Sequence, residues 1–158
     1  MDDISLARGL HVLSVVLWIG GVSFVTTVVL PAIRHLKTHE DRLPCFDAFE
    51  RRFARQARVT TVLTGLTGFY MVIRLDAWYR FREASFWWMH AMVLVWLLFA
   101  LLLFVLEPTF LHRWLLARSR AAPEATFAVV EWLHRALLGL SVVTVFGAVA
   151  GSHGFLFL

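Results

Sequence analysis

One cysteine, Cys45, stands in a chain of 158 residues. An internal disulfide is therefore excluded, as is any iron–sulfur or cysteine-cluster metal site, and Cys45 reads as a loop residue without a role. Charge is equally scarce. Asp, Glu, Lys and Arg make up 16% of the residues, against about 25% in a soluble domain, while 59% are apolar and the mean hydropathy is positive. That balance excludes an ordinary soluble fold and points to membrane segments. Short repeats and low-complexity tracts are also missing. The formal charge of +4 is no nucleic-acid signal, because the basic residues fall between the apolar segments.

What is present is a set of long uncharged runs. Residues 85–106, SFWWMHAMVLVWLLFALLLFVL, carry no formal charge and are long enough to cross a hydrocarbon layer of roughly 30 Å as a helix at about 1.5 Å per residue. A second run, 9–33, ends near Pro31 and Arg34; it is too long for a signal-peptide core and is expected to be retained. A third, 57–75, is short, with Arg58 and Arg74 at its ends and a stripe of Thr60, Thr64, Thr67 and Met71 beside Gly65 and Gly68, the small and hydroxyl residues that membrane helices pack together. The fourth, 136–157, carries Gly139, Gly147 and Gly151 and follows a linker at 119–124. The expected fold is all-α, an integral membrane antiparallel four-helix bundle in one domain, surrounded by lipid. Association with further copies of itself stays open.

Basic residues sort the topology. Arg34, Lys37, Arg42, Arg51, Arg52, Arg55, Arg58, Arg113, Arg118, Arg120 and Arg135 fall in or beside the first and third connections, whereas the other side holds Arg8, Arg74, Arg80 and Arg82. Positive charge stays on the cytoplasmic side, so both termini are expected outside a bacterial inner membrane. His11, His90 and His153 then share the outer third of three helices. An imidazole at such a depth is costly without a partner and marks a site.

Two imidazoles facing each other across a bundle suit the axial positions of a b-type haem, with Trp18, Trp87 and Trp88 as apolar walls and Arg74, Arg80 or Arg82 toward the propionates. His11 and His90 are the expected iron ligands, and His153 is an alternative. Copper is the second candidate, held by the same histidines with thioether from Met71, Met89 or Met92. His112 and His134 form a candidate second site at the inner interface, where Glu107 and Glu131 are expected to pair with arginines. Most of the seven tryptophans are expected to anchor at lipid or interface. The reading is a haem protein passing electrons between an outer donor and a quinone or other small redox molecule.

The run LHVLSVVLWIGG followed by Pro31, then FERRF, GLTG and WWMHAM, resembles the small four-helix membrane proteins grouped with copper-resistance protein D and the HemJ-type protoporphyrinogen oxidase. The resemblance covers most of the chain. It implies haem binding at the helix-1 histidine, which maps onto His11, and matches His90 to the helix-3 histidine; His153 has no counterpart. A porphyrinogen-oxidising activity is the enzyme reading it implies, with Arg58 or Arg74 holding substrate carboxylates. Two residues after the helix-3 histidine the family motif has a lysine, and Met92 in that position counts against the oxidase activity itself.

Overall fold

A computed structural model describes residues 3–155, excepting the side chains of Leu36, Phe110, His112 and Leu116. The described elements are all helical. Helix α1 (Asp3–Phe24) runs through a π-helical turn (Val25–Val29) into α2 (Leu30–Leu36), α3 covers His39–Arg74, α4 covers Trp87–Leu101, a π-helical stretch (Leu102–Leu111) leads into α5 (His112–Ala121), and α6 covers Pro123–Ser152. Three helical stretches are long and apolar enough to cross a membrane: Asp3–His35, Ala84–Thr109 and Pro123–Ser152. The expected segment at 57–75 is the C-terminal half of α3 and is not among them, because its threonines, glycines and flanking arginines lower its hydropathy.

Both wide turns sit beside prolines. Proline lacks the amide that would close an i→i−4 bond, and widening the turn before Pro31 and around Pro108 absorbs the missing donor. The hydroxyls of Thr26 and Thr27 donate back to the carbonyls of Val22 and Ser23 at 2.6 and 2.8 Å just before the first proline. Between α3 and α4 the chain turns through Asp76, whose φ of 47° is left-handed, a conformation that aspartate tolerates better than most residues. Where a linker at 119–124 was expected, only Ala122 separates α5 from α6.

Helix α1 packs mainly on α3, and α4 mainly on α6. Two apolar clusters lie between them. One joins Val25, Val29, Leu30 and Ile33 to Leu43, Phe46, Phe127 and Val130, and Cys45 packs against it from inside α3 rather than standing in a loop. The other joins Trp18 and Val22 to Ala57, Val95 and Phe99, with the Trp18 and Phe99 rings edge to face at 4.9 Å.

Indoles seat in glycine gaps. Trp96 lies against Gly65, Trp87 against Gly147 and Trp88 against Gly151, so α4 is clamped to α3 on one side and α6 on the other. Trp18 and Trp88 are buried, Trp88 in the gap that the missing Cβ of Gly151 leaves and Trp18 against Phe99, whereas Trp78 and Trp132 are exposed. A Cβ at Gly65 would lie 2.7 Å from the Trp96 ring, whose Nε1 donates to the Thr61 carbonyl at 2.8 Å. Gly65→Ala should therefore destabilise by about 1–3 kcal/mol through overpacking. Gly139 has nothing within 4 Å of such a Cβ, so Gly139→Ala should gain up to about 1 kcal/mol from helix propensity. Thermal melts in detergent measure both.

Candidate functional site

Of His11, His90 and His153, His11 is the one held by a neighbouring helix. Its Nδ1 lies 3.1 Å from the Thr64 carbonyl and 3.0 Å from Thr67 Oγ1. A carbonyl can only accept. The Thr67 hydroxyl already donates to the Leu63 carbonyl at 2.6 Å, so toward His11 it too accepts. Both partners therefore require the proton on Nδ1, and the neutral ring keeps a free lone pair on Nε2. Gly68 makes room for the ring: a Cβ there would lie 3.2 Å from His11 Cε1. The sequence marked Thr64, Thr67 and Gly68 as a packing stripe; their second use, holding an imidazole, shows only once α1 is laid against α3.

His11, His90 and His153 lie toward the same end of the packed helices. Helices α1 and α4 both run antiparallel to α3: His11 meets Thr64 while Asp3 meets Arg74, and Trp96 meets Thr61 while Leu103, just past α4, meets Arg58. From the Trp18–Phe99 contact, His11 lies seven residues back along α1 and His90 nine residues back along α4, roughly 10 and 13 Å. His153 follows Gly151, which packs on Trp88. Level, however, is not direction. His11 faces α3, and His90 is exposed, its ring edge to face with Phe81 at 5.4 Å. His153 is exposed at the end of α6, where its Nδ1 lies 2.8 Å from the Val149 carbonyl. The expected meeting of three rings is not formed, because α4 turns Trp88 and Met89 inward and His90 outward. Among the described residues no group of three or more His, Cys, Asp or Glu could hold a metal ion.

The remaining expected site residues are occupied in other ways. Arg74 donates to Asp3 at 2.9 Å, and the Tyr70 hydroxyl donates to the same carboxylate oxygen at 2.7 Å, tying the start of α1 to the end of α3. Arg80 lies over the rings of Tyr79 and Phe86. Trp87 and Trp88, expected as porphyrin walls, pack on glycines, and the buried Nε1 atoms of Trp18 and Trp88 have no hydrogen-bond partner. At the inner end His134 Nδ1 lies 2.9 Å from the Val130 carbonyl, with its ring edge to face with Phe46 at 5.4 Å. The His112 side chain lies outside the described residues.

Glu107 and Glu131 both pair with arginine, as expected. Arg58 donates to Glu107 at 2.7 Å and to the Leu103 carbonyl of the π-helical stretch at 3.1 Å. Arg34 donates to Glu131 at 2.7 Å, with Arg135 at 4.0 Å. Sequence reasoning missed Glu50. Burial, and then the negative charges of Glu107 and Asp47, push its carboxyl from the ordinary 4.5 up to about 7. A carboxyl raised on folding favours the folded state only while protonated, so its contribution is full below about pH 4.5 and is lost as pH rises through about 7. Melts as a function of pH should show Glu50→Gln more stable than the parent at pH 8 and equal to it at pH 4.

No protein-family model, curated protein or solved structure matches this chain.

Proposed function

We propose that this chain is a membrane-embedded b-type haem protein, its long helical segments forming a four-helix bundle across a bacterial inner membrane with both termini outside. The observation that carries this reading is the state of His11. Metal-ligating histidines characteristically commit one ring nitrogen to a backbone carbonyl and present the other to the metal, and the Nδ1 bond of His11 to Thr64 leaves Nε2 in that condition. Three further features support it: apolar stretches of spanning length, arginines concentrated around the first and third connections, and a buried indole N–H of Trp88 left without a partner near the same tier.

His11 would hold the haem iron through one ring nitrogen, Nε2. His90, unanchored and at nearly the same level, is the residue for the other axial position, with His153 as the alternative. The opposed ring pair is not formed in this structure, where His11 faces α3 and His90 is exposed. Bound there, haem b would supply one-electron chemistry. The protein's own part is to hold the His11 tautomer through Thr64 and Thr67 and to surround the site with apolar side chains. An outer donor and membrane quinone are the proposed redox partners.

The test is an absorption spectrum. Protein expressed with haem supplementation and purified in mild detergent should show a Soret band and, after dithionite, a reduced-minus-oxidised α band. Absence of both bands overturns the reading, as does stoichiometric copper by elemental analysis without porphyrin.

A further inference from the structure

At the inner end, between α2, the start of α3 and the start of α6, lies a cavity of about 570 Å³ that the haem reading does not use. Charges of both signs line it. Arg34 and Arg42 bring guanidinium groups, and Glu131 and Glu124 bring carboxylates. Glu131 decides what can enter. Its side chain is 4% exposed, its Oε2 takes the Arg34 bond at 2.7 Å, and its Oε1 is buried with no hydrogen-bond partner among the described residues. An unpaired carboxylate oxygen in such a place is costly and calls for a donor.

The opposite wall calls for an acceptor. Helix α6 opens at Pro123 with no side-chain cap from Ala122, so the first-turn amides of Glu124 and Ala125 lack intrahelical acceptors and carry the positive end of the helix dipole. Arg42 is a fixed strut. It donates to the carbonyls of Lys37 and Arg34 at 3.3 and 2.9 Å and lies over the Phe127 ring, so it adds charge without moving. Arg34 spends one amino group on Glu131, and with its side chain 49% exposed it keeps other N–H groups for an anion.

A free anion would meet the Glu131 carboxylate, and a free cation would meet Arg34. A group carrying both signs satisfies both walls. We propose that this cavity binds a primary ammonium joined to a phosphodiester, the headgroup of a phosphatidylethanolamine-type lipid, with the ammonium on Glu131 Oε1 and the phosphate between Arg34 and the α6 amides. The chemistry is independent of haem. Its lipid source rests on the proposed membrane placement, since the cavity lies among the arginines assigned to the cytoplasmic headgroup layer.

Native mass spectrometry of the full chain in detergent tests it with three probes: phosphatidylethanolamine, phosphatidylcholine and phosphatidylglycerol. The quaternary ammonium of the second has no N–H to give, and the third has no cation. Retention of the ethanolamine lipid should exceed both others by about tenfold or more, the worth of a charge-assisted hydrogen bond. Glu131→Gln should abolish that preference. Ala128→Phe, which fills the cavity and leaves the Arg34–Glu131 pair alone, should lower ethanolamine-lipid retention to the level of the other two without changing the melting temperature, and it decides the matter if the glutamine variant does not fold. Equal retention of all three lipids by the parent, or unchanged preference in Ala128→Phe, overturns the proposal. Full displacement of the lipid by equimolar glycerophosphoethanolamine, the same phosphodiester without acyl chains, would give the site to the free zwitterion and overturn the lipid source. Neither result bears on the Soret band, so the two readings fail separately.

Discussion

His11→Ala should abolish the Soret band of protein purified after haem supplementation. Nε2 of His11 is the one outer imidazole nitrogen whose lone pair is fixed by two acceptors on a neighbouring helix, so removing the ring removes both ligand and preorganisation. Thr67→Val tests the second half of that statement. It deletes one of the two acceptors and keeps the Thr64 carbonyl, and loss of such a supporting bond typically costs 10–100-fold in metal affinity. A haem titration should show about tenfold weaker binding with the band retained. His90→Ala should shift the bands or remove them, because it takes away the proposed second ligand. His35→Ala should leave the spectrum unchanged, since His35 is exposed near the end of α2. A His11→Ala protein with the parent spectrum would remove the proposed function.

The largest loss of stability should follow Arg34→Met. Glu131 is almost wholly buried, while Arg34 is half exposed, so the substitution leaves a carboxylate in a low-dielectric site with Arg135 at 4.0 Å as the nearest remaining cation. Breaking a buried pair from one side costs about 3–5 kcal/mol, and the exposure of Arg34 places the expected loss near the lower end, about 3 kcal/mol. Glu131→Leu added to Arg34→Met should recover most of it, because an apolar pair leaves no uncompensated charge. Unfolding in detergent, followed by circular dichroism, measures the single and double variants; a double variant as unstable as Arg34→Met would show that the pair holds the helices by shape and not by charge.

The histidine tier and the inner arginine–glutamate pairs were legible before any coordinates. Position along a helix follows from segment length and direction alone, so counting from the charged connections places His11, His90 and His153 toward one end of the packed helices, and Glu107 and Glu131 among arginines. Which arginine pairs with which carboxylate was not legible, because the choice of Arg58 for Glu107 and Arg34 for Glu131 depends on which helices become neighbours. Glu50 escaped for a related reason: it reads as one more charge in a basic connection, and its burial, with the approach of Glu107 and the nearby Asp47, raises it.

By itself the sequence determined that the chain is helical, that much of it can face hydrocarbon, and how far along each helix every ionisable group sits. Only the tertiary structure decided where the side chains point around each helix axis. In a soluble helix the boundary between apolar and polar faces sets that rotation. Here inward and outward faces are both apolar, so rotation is set instead by indoles seating on Gly65, Gly147 and Gly151. That seating turns Trp88 in and His90 out, and the packing of α1 on α3 gives His11 its two acceptors.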